Sequence, residues 1–270
     1  MNDMDETGSL PRRGSEPPPG MTSERLARVD LAACYRLVAH FGWTDLIYTH
    51  ISMRVPGSHD QFLLNPFGLA FDEITASNLL KVDLEGTLVE PSEHEVHKAG
   101  FVIHSAIHAM REDANCVLHL HTRAGMAVSA LEEGLLPLTQ HAMLFHGRIG
   151  YHESEGLALS LDERARLARD LGDNIVLMLR NHGTLVVGKT VAEAFSIMWH
   201  LEKACQAQLD ILACGRQPRL PPAGIAREIA RLGFSDARLD EYSTGKSPLG
   251  HKEWPAMLRL ADRVAPGFRD

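Results

Sequence analysis

The amino-acid sequence predicts an α/β protein, and three observations carry that reading. Ser160 with Glu163, and Thr190 with Glu193, fit helix-capping boxes ahead of apolar residues spaced by three and four. Short alternating or continuous apolar runs bounded by Gly, Pro and Asp read as strands. The two kinds of segment interleave along 270 residues that are 44% hydrophobic, enough for one large core, and no segment repeats.

Taken in order, residues 1 to 21 are rich in Pro, Gly, Ser and charge and read as a flexible tail. From Thr22, apolar Leu26, Val29, Ala33 and Leu37 lie on one helical face, and Gly42 stands where a left-handed cap would end the helix. In "YTHISMRV" (48–55) Ile51, Met53 and Val55 alternate with His50, Ser52 and Arg54, which predicts a half-buried strand with a polar face. "FLLNPFGLAF" and "LLKVDLEGTLVE" add strand-like pieces with hairpin connections. "KAGFVIHSAIHAM" (98–110) turns helical, with His104 and His108 one turn apart. "CVLHLH" reads as a strand, "TRAGMAVSALEEG" as a helix, and "IVLMLR" and "TLVVG" as buried strands. A long helix then runs from Thr190 to Gly215, "RQPRLPPAG" breaks it, and short helices follow around Ile229 and from Trp254 to Leu260. The expected organisation is a tail (1–21), a main domain (22–215) and a helical extension (216–270) packed on it.

Composition narrows the function classes. A formal charge of −8 repels polyphosphate, so nucleic acid is not an expected partner. No apolar run approaches the roughly 20 residues that span a bilayer, and the start has no apolar signal core, so membrane insertion and export are not expected. The four cysteines, Cys34, Cys116, Cys205 and Cys214, form no CxxC pair; reduced packing thiols in a cytoplasmic protein are the expectation.

The histidines are the chemical signal. On a strand, His119 and His121 of "VLHLHTRAG" project to the same side, where two imidazoles can chelate one divalent ion or form a polar surface ladder. His182 stands where an apolar strand breaks at Gly183; it is a candidate third ligand or an ordinary turn residue. The His104/His108 pair has metal-binding spacing but no evident third ligand.

The stretches "GWTDLIYTHISMRV", "NPFGLAFDEITASNLLKVDLEG", "AGFVIHSAIHAMREDANCVLHLHTRAG" and "LRNHGTLVVGKTVAEAF" together resemble the class II aldolase and adducin head-domain family, from about Leu26 to Leu212, and most of all its adducin-like branch. The resemblance implies a three-layer αβα sandwich around a mostly antiparallel mixed sheet, and commonly a ring-shaped homotetramer. It implies a divalent metal, usually zinc, held by His119, His121 and His182 with an open coordination position. In the family's aldolases that position takes a hydroxyketone whose enediolate charge the metal stabilises.

The sequence departs from the aldolase pattern at several points. The aldolase glutamate that shuttles protons corresponds to Gly100, the two phosphate-holding serines before it to Lys98 and Ala99, and the asparagine of the phosphate loop to His50. The neighbouring subunit's tyrosine has its counterpart near His141. Sugar-phosphate cleavage is therefore not expected. His141 and Glu155 are the candidate catalytic acid/base residues, with His50, His97 and His104 as further pocket candidates.

Two functions compete on the sequence. One is a metal-dependent carbon–carbon lyase, cleaving or decarboxylating a small unphosphorylated hydroxy-keto or aromatic acid. The other is a non-catalytic oligomerisation or cytoskeletal module of adducin type; since adducin relies on a neck and basic tail that do not follow here, direct actin binding is not expected.

Overall fold

The computed structural model describes residues 22–156, 163–222, 224–233 and 249–270. The tail expected over 1–21 and the expected helix cap Ser160 lie outside the described residues. Helix α1 (Ser23–His40) starts at Thr22, whose hydroxyl accepts from Arg25 N, and ends before Gly42 at φ +69°, as the spacing predicts. The other helices are α2 (Lys98–Met110), α3 (Arg123–Ser129), α4 (Gln140–Met143), α5 (Glu163–Leu171), α6 (Val191–Ala213), α7 (Ile225–Gly233) and α8 (Glu253–Val264). At the head of α6 the expected capping residues act: Thr190 accepts from Glu193 N, and the Glu193 carboxylate accepts from Lys189 N.

Seven strands form one sheet: β1 (His50–Arg54), β2 (Gln61–Leu64), β3 (Leu80–Asp83), β4 (Cys116–Leu120), β5 (Ile149–His152), β6 (Val176–Leu179) and β7 (Gly183–Gly188), in the order β3-β2-β1-β4-β7-β6-β5. Every neighbouring pair is antiparallel except β5 with β6. The sheet is thus mixed and mostly antiparallel. Strand β5 has no signature in the sequence: "IGYH" is only four residues long and not an apolar run.

Strand alternation sorts side chains into two layers. On one face Ile51, Leu118, Met178 and Val186 pack with Leu31 and Leu37 of α1, Phe195 and Leu201 of α6, and Trp254 of α8. On the other, Val117, Leu177, Leu179 and Leu185 pack with Ile103 and Ile107 of α2 and with Leu167 and Leu171 of α5. The result is the expected three-layer αβα sandwich.

The polar side of β1 is where the structure departs from the half-buried strand. His50, Ser52 and Arg54 are all buried, because α2 covers that side and supplies their partners. Ser52 Oγ lies 2.5 Å from His104 Nδ1 and 2.7 Å from His108 Nε2, so a hydroxyl bridges that pair. Arg54 donates to the His108 and Arg111 carbonyls at the end of α2. Alternation in sequence reports that a face is polar; it does not distinguish solvent from a sealed hydrogen-bond network.

Two outcomes follow from this packing. Trp254 is 1% exposed and donates from Nε1 to Asp30 Oδ1 at 2.8 Å, clamping α8 onto α1. Trp254→Ala should lower unfolding stability by about 3–5 kcal/mol, measured by urea denaturation. Burial also holds the His104 imidazole down to about 3, against 6.5 for a free histidine, and burial, then nearby His104, holds His50 and His108 well below the ordinary value. These rings are neutral in the fold, whereas an unfolded chain binds protons below about pH 6.5. Their stabilisation is therefore complete above that pH and lost as pH falls below it, for His104 down to about 3, by on the order of 1.4 kcal/mol per pH unit. Denaturation midpoints measured across that range should fall steeply, and more shallowly in His104→Gln.

Candidate functional site

The sheet brings three histidines from two segments into one place. His119 lies on β4, its neighbour His121 just past the strand end, and His182 in the tight turn between β6 and β7. Pairing of Leu120 with Thr184 sets that turn beside the end of β4. Gly183 is required for this approach: a Cβ there would lie 2.6 Å from the Leu120 carbonyl oxygen and 3.0 Å from His121 Cδ2. The three rings have centroids 4.8, 4.9 and 4.7 Å apart. One ligand atom from each lies within 4.8 Å of the others, the only such set of His, Cys, Asp or Glu groups among the described residues.

Hydrogen bonds fix which nitrogens face inward. His119 Nδ1 lies 3.0 Å from the Thr184 carbonyl oxygen and His121 Nδ1 lies 2.8 Å from Asp45 Oδ2. Both partners only accept, so each Nδ1 carries a proton and Nε2 is the nitrogen each ring turns toward the other. Those two Nε2 atoms lie 3.1 Å apart. Zinc–nitrogen bonds of about 2.0–2.1 Å imply a tetrahedral nitrogen–nitrogen edge of about 3.3 Å, close to this separation. The donor set fits a divalent ion. Burial, then the neighbouring His182 and His121, keeps His119 far below the ordinary imidazole range, and burial, then His121, lowers His182 to about 4. Neutral imidazole is the form that binds metal.

The surroundings are strained where they hold these groups. The non-glycine residues at positive φ among the described residues are Leu46, Thr49 and Asn181, which adjoin Asp45, His50 and His182 respectively. Such conformations cost of order 1–3 kcal/mol each and persist where neighbouring structure enforces them. Thr49 Oγ1 is also buried without a hydrogen-bond partner.

The other expected site residues are placed as follows. His141, on α4, stacks on His200 of α6 with ring centroids 5.3 Å apart, and burial, then His200 and Lys203, lowers its basicity. Glu155 is held by two hydrogen bonds from Arg166, which keep its carboxyl below the usual range. Neither makes a hydrogen bond or ring contact with the three histidines, although Glu155 lines the same small cleft as His182. His97 caps α2, accepting from Gly100 N at 3.2 Å. His50 fills the space beside Gly100: a Cβ on that glycine would meet His50 Cδ2 at 2.5 Å. The ring at 50 and the absent side chain at 100 are therefore one coupled feature.

Several participants were not legible beforehand. Asp45 orients His121 across 76 residues of chain, a contact no local pattern announces. His152 is buried between Asp170, at 2.7 Å, and Glu163, at 3.4 Å, and both His152 and Glu163 line the cleft with His182. In sequence His152 only precedes the acidic residues of "GYHESEG" and Glu163 only marks a helix start; neither signal announces their pairing.

Known proteins match this chain along most of its length. The family described as Class II Aldolase and Adducin N-terminal domain matches residues 29–209. A Caulobacter vibrioides protein provisionally named an aldolase class 2 protein is 50% identical, over 92% of this chain and 93% of its own length. Rat alpha-adducin is 40% identical over 95% of this chain, which spans 35% of the adducin. Among solved structures, an aldolase II superfamily protein from Pseudomonas syringae superposes with a TM-score of 0.83 at 45% identity, covering 96% of this chain and all of that one. The L-fuculose 1-phosphate aldolase of Glaciozyma antarctica follows with a TM-score of 0.77 at 27% identity, over 92% and 94% of the two chains. With the fold, the site geometry and these matches in agreement, the chain belongs to the class II aldolase and adducin family.

Proposed function

We propose that this chain is a divalent-metal-dependent carbon–carbon lyase acting, by aldol-type cleavage or decarboxylation, on a small unphosphorylated hydroxy-keto or aromatic acid. The observation that carries this reading is the convergence of three imidazoles, with His119 Nε2 and His121 Nε2 3.1 Å apart and His182 alongside. His119, His121 and His182 would hold the ion, for which three imidazoles favour zinc. When bound, such an ion supplies Lewis-acid stabilisation of the enolate-like charge that either reaction develops.

The protein groups set what else the site does. Thr184 O and Asp45 aim the two imidazoles, which is how outer partners tune a metal centre. At position 100 there is no carboxylate to move a proton, and His50 takes up that space. Proton transfer is assigned to His141 or Glu155, or to the buried Glu163–His152 pair that shares a cleft with His182. The aldolase named for L-fuculose 1-phosphate shares the fold, but Lys98, Ala99 and His50 replace the phosphate-holding residues that the resemblance implies, which favours an unphosphorylated substrate. A homotetramer is proposed on the same resemblance.

The 40% identity to alpha-adducin favours a second reading, a non-catalytic oligomerisation or actin-associated module. The two separate on turnover and metal dependence. His119→Ala should abolish stoichiometric zinc binding, measured by elemental analysis after dialysis, and abolish turnover of a hydroxy-keto and aromatic acid panel; filament cosedimentation with no turnover would favour the second reading. Asp45→Asn should weaken zinc affinity roughly 10–100-fold in chelator competition. Because Asp45 is about half exposed, the melting temperature of the metal-free protein should move little.

A further inference from the structure

A single hydrogen-bonded chain threads the buried side of β1 and ends beside the candidate metal centre. His108 Nδ1 lies 3.0 Å from the Ala114 carbonyl oxygen, which can only accept, so Nδ1 carries the proton and Nε2 of the neutral ring is bare. Ser52 Oγ, 2.7 Å from that Nε2, must donate its one hydrogen there. Having spent it, Ser52 can only accept from His104 Nδ1 at 2.5 Å, which leaves His104 Nε2 bare. That atom in turn accepts from His50 Nδ1 at 2.9 Å. One carbonyl oxygen thus sets the direction of every bond in the series, and His50 is left with its proton on Nδ1 and a lone pair on Nε2.

The free end of this chain lies beside the site. His50 is only 4% exposed, and none of its hydrogen bonds engages Nε2. Across the β1–β4 pair His50 lies directly opposite His119, with ring centroids 5.2 Å apart. Helix α2 passes close to this ring only because residue 100 is glycine, a Cβ there falling 3.0 Å from Nε2 and 2.5 Å from Cδ2. The preceding residue contributes a second unsatisfied group, the buried Thr49 hydroxyl. Nearly buried acceptors without partners cost free energy, which a bound donor recovers.

We propose that His50 is a specificity-determining residue of the site: its Nε2, held as an obligate acceptor by the Ala114–His108–Ser52–His104 chain, takes a hydrogen bond from a hydroxyl of the bound molecule. This inference rests on the small-molecule reading above and narrows it to hydroxyl-bearing ligands. A carboxylate or phosphate oxygen placed there would meet a lone pair with its own negative charge, so acids must present that group elsewhere in the site. Ser52, His104 and His108 are positioning residues, since they act only by orienting His50.

The test uses the full chain labelled with ¹⁵N-histidine, with His50 assigned from His50→Phe. Wild-type protein, with or without zinc, should show His50 as the Nδ1–H tautomer with an unprotonated, pyridine-type Nε2. Ser52→Ala interrupts the chain and should let His50 populate the Nε2–H form, a change that simple loss of packing would not produce. Calorimetric titration of zinc-loaded protein should show tighter binding of hydroxypyruvate than of pyruvate, and that preference should shrink about tenfold in His50→Phe, the size expected for one hydrogen bond. Ser52→Ala, checked for folding by circular dichroism, provides the comparison if His50→Phe does not fold. An Nε2–H tautomer in wild-type protein overturns the inference, as does a hydroxypyruvate preference unchanged in both variants. Failure to bind zinc would instead remove the lyase reading, and the tautomer of the metal-free protein would still decide the role of His50.

Discussion

Three histidine rings brought to one point are the constraint around which this molecule is arranged. His119 and His121 each give their Nδ1 proton to a fixed oxygen, and the Nε2 atoms that remain face one another at 3.1 Å. A divalent cation between them would satisfy both nitrogens at once. His182 adds a third donor from the far side of a strand turn. The same geometry explains why position 183 is glycine, since any side chain would collide with the β4 backbone and the His121 ring.

The sheet makes this convergence cheap in chain length and costly in local comfort. Antiparallel pairing of β1 with β4 and of β4 with β7 sets His50, His119 and the His182 turn side by side. The loops that deliver Asp45, His50 and His182 each contain or adjoin a non-glycine residue at positive φ. Strain concentrated beside one site, within an otherwise well-packed sandwich, is the distribution expected where function competes with stability. The buried histidines of β1 and α2 add a second cost, for they must stay neutral to remain inside.

Much of this was readable from the residues, and the limits of that reading have physical reasons. The HxH pair declared itself by strand periodicity, and His182 by its place before Gly183; the helix cap at Thr190 was likewise a local signal. Strand β5 escaped because four residues with one glycine carry no periodicity. His50, Ser52 and Arg54 were visible as one polar face, but the helix that seals it lies more than forty residues away, so the face read as solvent-facing. Asp45 and the Asp170–His152–Glu163 cluster depend wholly on tertiary pairing. Family resemblance supplied the metal expectation and the missing glutamate; only coordinates joined Gly100 to His50.

The central claim, that three histidine nitrogens share one cation, is tested most directly by X-ray absorption spectroscopy at the zinc edge on protein reconstituted with one equivalent of metal. The account predicts a first shell containing three imidazole nitrogens at about 2.0–2.1 Å together with a light oxygen scatterer. A shell with sulfur, one lacking multiple imidazoles, or metal removed completely by simple gel filtration would contradict it.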